Sequence, residues 1–209
     1  MKLTMLGTGN AVVTNCYNTC FVLSDDGKYF LVDGGGGNGI LSRMKDAGID
    51  WHDIHDIFVT HKHMDHILGV MWVIRMITQA MKRDAYEGEV TIYGHKKVLC
   101  ILDDMSHMLL SKKEAELVGN RILFVPVSDG DVCEIIGHKT TFFNIHSSKT
   151  KQHGFTMYLN RTDKLSCCGD EPYNDTERMY VQGSKWLLHE AFCLASDAEH
   201  YAPYEKHHS

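Results

Sequence analysis

The segment His61-Lys62-His63-Met64-Asp65-His66 puts three imidazoles and one carboxylate into six residues. It follows the short apolar run Ile57-Phe58-Val59-Thr60 and precedes a long apolar stretch that begins at Ile67. The run reads as a buried strand and residues 65–82 as a helix, so the cluster occupies a strand-end loop. Residues i and i+2 of an extended segment point the same way, which lets His61 and His63 grasp one ion together. Asp65 and His66 lie at the turn into the helix and can serve a second ion, since two-metal hydrolytic sites keep their ions ~3.5–4 Å apart. Nitrogen and oxygen donors of this kind suit zinc first, with iron or manganese as alternatives. His52, His55 and Asp56 lie before the strand in a polar segment and read as solvated loop residues.

The pattern on either side supplies many strands with helices at intervals. Met1 to Leu6, Cys20 to Leu23 and Tyr29 to Val32 read as strands, the last ended by the glycines Gly34 to Gly37. Ile40, Leu41, Met44 and Ala47 give a helix that stops at Gly48, and His95 to Leu110 reads as another. Glu89 to Tyr93, Ile122 to Val127, Val132 to Ile136, Lys139 to Ile145, Gly154 to Leu159, Lys164 to Cys168 and Trp186 to His189 complete the strands. Two packed β-sheets with helices outside, or a doubly wound α/β sheet, would both fit this order. The metal motif favours the first. Without a linker, a repeat or a low-complexity tract, the reading is one domain over residues 1–209.

Composition narrows the function. A formal charge of -6 provides no basic field for tight binding to long nucleic acid. The seven cysteines are odd in number and contain no C-x-x-C pair, which fits reduced thiols rather than a disulfide framework or a zinc ribbon. The start, MKLTMLGTGN, lacks the apolar core of a secretory signal, and the expected location is the cytoplasm. The apolar helix Ile67 to Met81 can cover the chain's own core or a partner.

HKHMDH matches the HxHxDH motif of the metallo-β-lactamase superfamily, and the chain resembles its ribonuclease Z-like branch. LTMLGTGNAV is similar to the opening strand and turn of that branch, and FLVDGGGG to its strand ending in Asp-Gly. Cys168-Gly169-Asp170 is similar to its later Gly-Asp motif, and Leu187-Leu188-His189-Glu190-Ala191 to its His-Glu-Ala segment. The resemblance implies an α+β, four-layer αββα sandwich with a dinuclear site. It implies His61, His63 and His146 on the first ion, with His153 competing for the third place. Asp170 would bridge both ions, and Asp65, His66 and a last histidine would complete the second site. His208, in the closing His207-His208-Ser209, is the candidate for that last place, in a chain shortened at its C-terminus relative to the branch.

A metal-bound hydroxide would then attack a phosphodiester, with Asp65 orienting it and accepting its proton and His189, supported by Glu190, protonating the leaving group. Asp33 would accept the free N–H of a ligand histidine and fix its tautomer. Gly34 to Gly37 could bring backbone N–H groups to a phosphate, and Lys62, Lys149 and Lys151 could contact a substrate anion. The substrate would be RNA or a smaller phosphodiester. The negative charge and the absence of a basic insertion between Gly119 and His146 speak against full transfer-RNA processing. Hydrolysis of a lactone, thioester or other carbonyl substrate is an alternative, as is a metal-binding domain with little activity because its second site is incomplete. The resemblance also implies a homodimer.

Overall fold

The computed structural model describes residues 1–190. Where the sequence reads as one domain, contacts divide the chain into two compact units, Met1–Val127 and Ser128–Ser209.

The first unit is a six-stranded sheet in the order β1 (Lys2–Gly7), β2 (Cys20–Asp25), β3 (Lys28–Val32), β4 (Ile54–Val59), β5 (Val90–Gly94) and β6 (Ile122–Pro126). β1, β2 and β3 are antiparallel, and the β2–β3 turn places Asp26 and Gly27 at φ 48° and 74°. Two successive left-handed residues make the tight hairpin turn whose twist matches its strands. From β3 to β6 the pairing is parallel. Each parallel step therefore needs a crossover, and the helices α1 (Gly39–Asp46), α2 (Met64–Met81) and α3 (Lys96–Leu109) supply them.

Alternation along the strands sets the core. Val22, Leu31, Ile57, Val59, Val90, Ile92 and Ile122 belong to one cluster with Ile40 and Met44 of α1, Val70, Val73, Ile74 and Ile77 of α2, and Val98 and Leu102 of α3. Phe21, Leu23, Phe30 and Phe58 are also buried, so β2, β3 and β4 read as near-continuous apolar runs. The apolar stretch of α2 thus covers the chain's own core. α1 ends where expected: the Gly48 N–H donates to Lys45 O and the Ile49 N–H to Met44 O, with Gly48 at φ 70°. That pair of bonds satisfies the last carbonyls of the helix.

The second unit is a five-stranded sheet in the order β11 (Trp186–Leu188), β10 (Lys164–Cys167), β9 (His153–Tyr158), β8 (His138–Asn144) and β7 (Val132–Ile135). Its pairs are antiparallel except β10–β11, which is parallel. Helix α5 (Arg178–Val181) lies on this sheet through Tyr180, whose ring stacks on Phe143 with centroids 4.8 Å apart. Hydroxyls secure its end: Ser184 Oγ donates to Val181 O, and the Lys164 ammonium donates to Tyr180 O. Among the described residues no helix is long and apolar enough to cross a membrane.

The one-turn helix α4 (Lys112–Ala115) is absent from the sequence reading because four residues carry no period. Its anchor is Glu114, which is buried and accepts the Ser111 N–H at 2.9 Å and the Lys82 ammonium at 3.3 Å. Burial pushes its carboxyl up, but the Ser111 bonds and Lys82 outweigh this and leave it below the ordinary value. Glu114→Ala is expected to lower the unfolding free energy at neutral pH by about 1–3 kcal/mol. A depressed carboxyl stabilises above its unfolded-chain value of 4.5 and loses that contribution as pH falls through the folded-state value. In urea denaturation across that acid range the gap between variant and parent should close; a gap independent of pH would contradict the assignment.

Candidate metal centre

The cluster in the first unit is built around Asp33. It follows β3, donates its N–H to Phe58 O at 2.9 Å, and then takes φ 57°, which turns the chain off the sheet. Aspartate tolerates that left-handed conformation better than most residues. Its carboxylate is 4% exposed and accepts three hydrogen bonds: Oδ1 from Thr60 N–H at 2.9 Å, and Oδ2 from Thr60 Oγ1 and from His66 Nδ1, each at 2.8 Å.

These bonds fix two tautomers. A carboxylate only accepts, so His66 carries its proton on Nδ1 and presents the Nε2 lone pair. Thr60 gives its one hydroxyl proton to Asp33, so it accepts from His61 Nδ1 at 2.9 Å, and His61 too presents Nε2. His61 Nε2 lies 2.9 Å from His63 Nδ1, and the His61 and His66 ring centroids are 4.1 Å apart. Asp65 Oδ2 stands 3.4 Å from His66 Nε2. Two lone-pair-bearing atoms facing each other at that distance call for a proton or a cation between them. Three imidazoles and an ionised carboxylate converging in this way fit a divalent ion of the zinc class.

The glycines Gly34 to Gly37 have a different task from phosphate binding. Three of their four N–H groups are engaged within the unit: Gly34 with His66 O, Gly36 with Asn18 Oδ1 and Gly37 with the Tyr17 hydroxyl. What the run provides is close approach. A Cβ at Gly34 would lie 2.2 Å from Val70 N, and one at Gly69 would lie 1.7 Å from Gly34 O. The loop after β3 therefore lies against the first turns of α2, which brings Asp33 to His66. Tyr17 braces the loop with its hydroxyl on Gly34 O and Gly37 O, and burial pushes its pKa up to about 12. His52 pairs with Asp50 and stacks on Trp51, while His55 meets Glu89 O, so both lie apart from this cluster. Lys62 is exposed.

In the second unit His146 follows β8, is exposed, and has φ 59°, with its N–H on Asn144 Oδ1. The segment after it is tied to Glu171, next to Asp170: Ser147 Oγ donates to Glu171 Oε1 at 2.5 Å, and Gln152 Nε2 reaches the same oxygen at 3.4 Å. Lys149 and Thr150 donate their N–H groups to Ser147 Oγ. His153, the competitor of His146 for the third place, is the first residue of β9, 3% exposed and paired with Asn144. Asp170 follows Gly169, which sits at φ 67° in the turn after β10.

His189 follows β11, with Nδ1 donating to Glu190 O at 2.9 Å and Nε2 enclosed. With one nitrogen bonded and the other buried, His189 is poorly placed to protonate a leaving group. Glu190 meets this ring through its backbone carbonyl. His208 and Cys193 lie outside the described residues, and the other six cysteines are free thiols. Thr60 and Glu171 are the supporting residues the sequence reading missed. Each is next in sequence to a candidate ligand, and that adjacency is the signal that could have found them.

The family model described as the anti-Pycsar protein Apyc1 matches residues 1–206. The chain belongs to the anti-Pycsar Apyc1 family. It is 37% identical over 107 residues to a ribonuclease Z of Methanothermobacter thermautotrophicus, a stretch covering 49% of this chain and 33% of that protein. The curated ribonucleases Z it matches are thus covered over about a quarter to a third of their length. Among solved structures, human tRNase Z short form (ELAC1) is similar with a TM-score of 0.76 and 19% identity, covering 100% of this chain and 84% of that one. The metallo-β-lactamase fold protein YhfI of Bacillus subtilis is similar with a TM-score of 0.73 and 14% identity, covering 93% and 73%. This member of the Apyc1 family has the metallo-β-lactamase fold.

Two predictions test the Asp33 arrangement. Asp33→Asn keeps the backbone conformation but loses the carboxylate, and zinc affinity in a chelator competition should fall by about 10–100-fold with far-UV circular dichroism retained; undiminished affinity would show that the tautomers are set by other means. Gly69→Ala should cost about 1–3 kcal/mol in urea denaturation. Gly37→Ala, where a Cβ meets nothing within 4 Å, should cost far less, and equal losses at both positions would refute the close-approach account.

Proposed function

We propose that this chain is a metal-dependent hydrolase of phosphodiesters, acting on RNA or a smaller phosphodiester. The observation that carries the reading is the double tautomer lock, in which one buried aspartate turns the Nε2 lone pairs of His61 and His66 toward His63 and Asp65. The similarity to ribonuclease Z and tRNase Z supports the phosphodiester as the bond attacked.

The proposed ligands are His61, His63, Asp65, His66, His146, Asp170 and His208, the set the resemblance implies, with two zinc ions as first choice and manganese or iron as alternatives. Bound there, the ions would neutralise phosphodiester charge and lower the pKa of coordinated water toward ~7. Asp65 then has the part of orienting the attacking water and accepting its proton, for which its carboxyl must be ionised. Asp33 and Thr60 hold the imidazoles in their ligating tautomer. Glu171 steadies the segment after His146. Lys149 and Lys151, on the same segment, offer positive charge to a substrate anion. A homodimer in the cytoplasm completes the proposal, and sedimentation equilibrium of the full chain would test the dimer.

Asp65→Ala should lower the zinc- or manganese-dependent rate of bis-(p-nitrophenyl) phosphate hydrolysis more than a hundredfold, about 2.7 kcal/mol of barrier. A wild-type rate no higher than the variant's would sink the phosphodiesterase reading and direct attention to carbonyl substrates.

A further inference from the structure

A second group of donors lies wholly inside the second unit. Cys168 follows β10 and donates its N–H to Leu188 O at 2.9 Å. The parallel register, which pairs Cys167 with Leu188, carries Cys168 and His189 off adjacent strand ends together. Glu177 arrives from the other side, as the last residue of the helical turn Asp175–Glu177 that leads into α5. The ligand atoms of Cys168, Glu177 and His189 all lie within 4.8 Å of one another.

Their surroundings do not satisfy them. Glu177 is 0% exposed, yet its carboxylate oxygens find no N–H or O–H donor, only the weak S–H of Cys168, and the enclosed Nε2 of His189 has no partner. Cys168 is equally buried. A buried carboxylate left in this state costs several kcal/mol unless a cation or a proton neutralises it. His189 is already in the ligating form: its Nδ1–H is held by the Glu190 carbonyl, so Nε2 carries the lone pair. Metal-bound histidines characteristically have such a partner on the far nitrogen.

We propose that Cys168, Glu177 and His189 form a separate binding site for a zinc-class divalent ion. A thiolate, an imidazole and a carboxylate together select zinc over magnesium or calcium, which prefer all-oxygen shells. Binding releases the Cys168 thiol proton, and any proton on Glu177, to solvent, and leaves an ion held by three protein ligands. This ion fastens the end of β10, the end of β11 and the approach to α5 to one another. The assignment gives His189 a structural task in place of a proton-donating one, and it does not depend on the phosphodiesterase reading.

The test is cobalt loading of the full chain with near-ultraviolet absorption, because only a thiolate ligand produces a sulfur-to-cobalt charge-transfer band. The proposed His and Asp ligands at His61–His66 contain no sulfur. The band should appear in the parent and in His61→Ala, and vanish in Cys168→Ser, which should also bind one zinc fewer per chain. A parent without the band, or a Cys168→Ser variant that keeps it, overturns the site. Should Cys168→Ser not fold, Glu177→Gln keeps the shape of the side chain and should weaken cobalt binding, read from the same band, by about tenfold or more; unchanged affinity there overturns the site equally. Loss of hydrolysis with the band intact would count against the catalytic reading alone.

Discussion

The buried carboxylate of Asp33 is the constraint on which the His61–His66 cluster depends. An ionised group at 4% exposure is tolerable only when its lone pairs are occupied, and Asp33 receives three donors, two from Thr60 and one from His66. Hydrogen bonds to a charged acceptor are worth about 1.5–3 kcal/mol each, so the group that fixes the imidazoles also fastens the end of β3 to the end of β4 and the start of α2. Because Thr60 passes its proton to Asp33, the influence of one carboxylate reaches His61 as well as His66. Removing it would release two tautomers at once.

Such a carboxylate can reach α2 only if the backbone behind it comes very close to the helix, and side chains forbid that. Gly34 and Gly69 meet with no room for a Cβ on either. The helix that results points its N-terminus at the cluster, with Asp65 in the first turn. The positive end of the helix dipole favours the ionised form of Asp65 and disfavours a cation nearby. The negative charges of Asp33 and Asp65 are therefore what make this a place for a divalent ion at all.

How much of this could be read from the chain follows from the distance over which each signal acts. The strands and α2 are legible because each carries its own apolar period: the end of β4 and both ends of α2 fall within one residue of expectation, while β4 starts three residues earlier than expected. Asp33 is legible as a partner because Asp-Gly after a strand is itself a pattern. The glycine run was not, since a phosphate cradle and a close packing surface look alike until the partner is known, and that partner, Gly69, lies 35 positions beyond Gly34. α4 and α5, four residues each, are held by Glu114 and by hydroxyl and ammonium groups from other elements, none of which leaves a local trace. The same holds for Glu177, whose neighbours Cys168 and His189 become neighbours only through the parallel pairing of β10 and β11.

The candidate ligands His61, His66 and His189 share one device: an acceptor holds Nδ1–H and sends the Nε2 lone pair the other way. The acceptor is Thr60 Oγ1 for His61, the Asp33 carboxylate for His66 and the Glu190 carbonyl for His189. The device alone does not make a site, for His55 also places Nδ1 on a backbone carbonyl, that of Glu89, and stays an exposed surface residue. What separates the three is what their Nε2 meets: His63 for His61, Asp65 for His66, and the Cys168–Glu177 pair for His189. Orientation of the ring and convergence of further donors are independent requirements, and a histidine-rich sequence satisfies the second only where strand ends and helix starts are brought together. By that criterion the loop at His61–His66 and the end of β11 are alike in kind, and differ in the softness of the donors they gather.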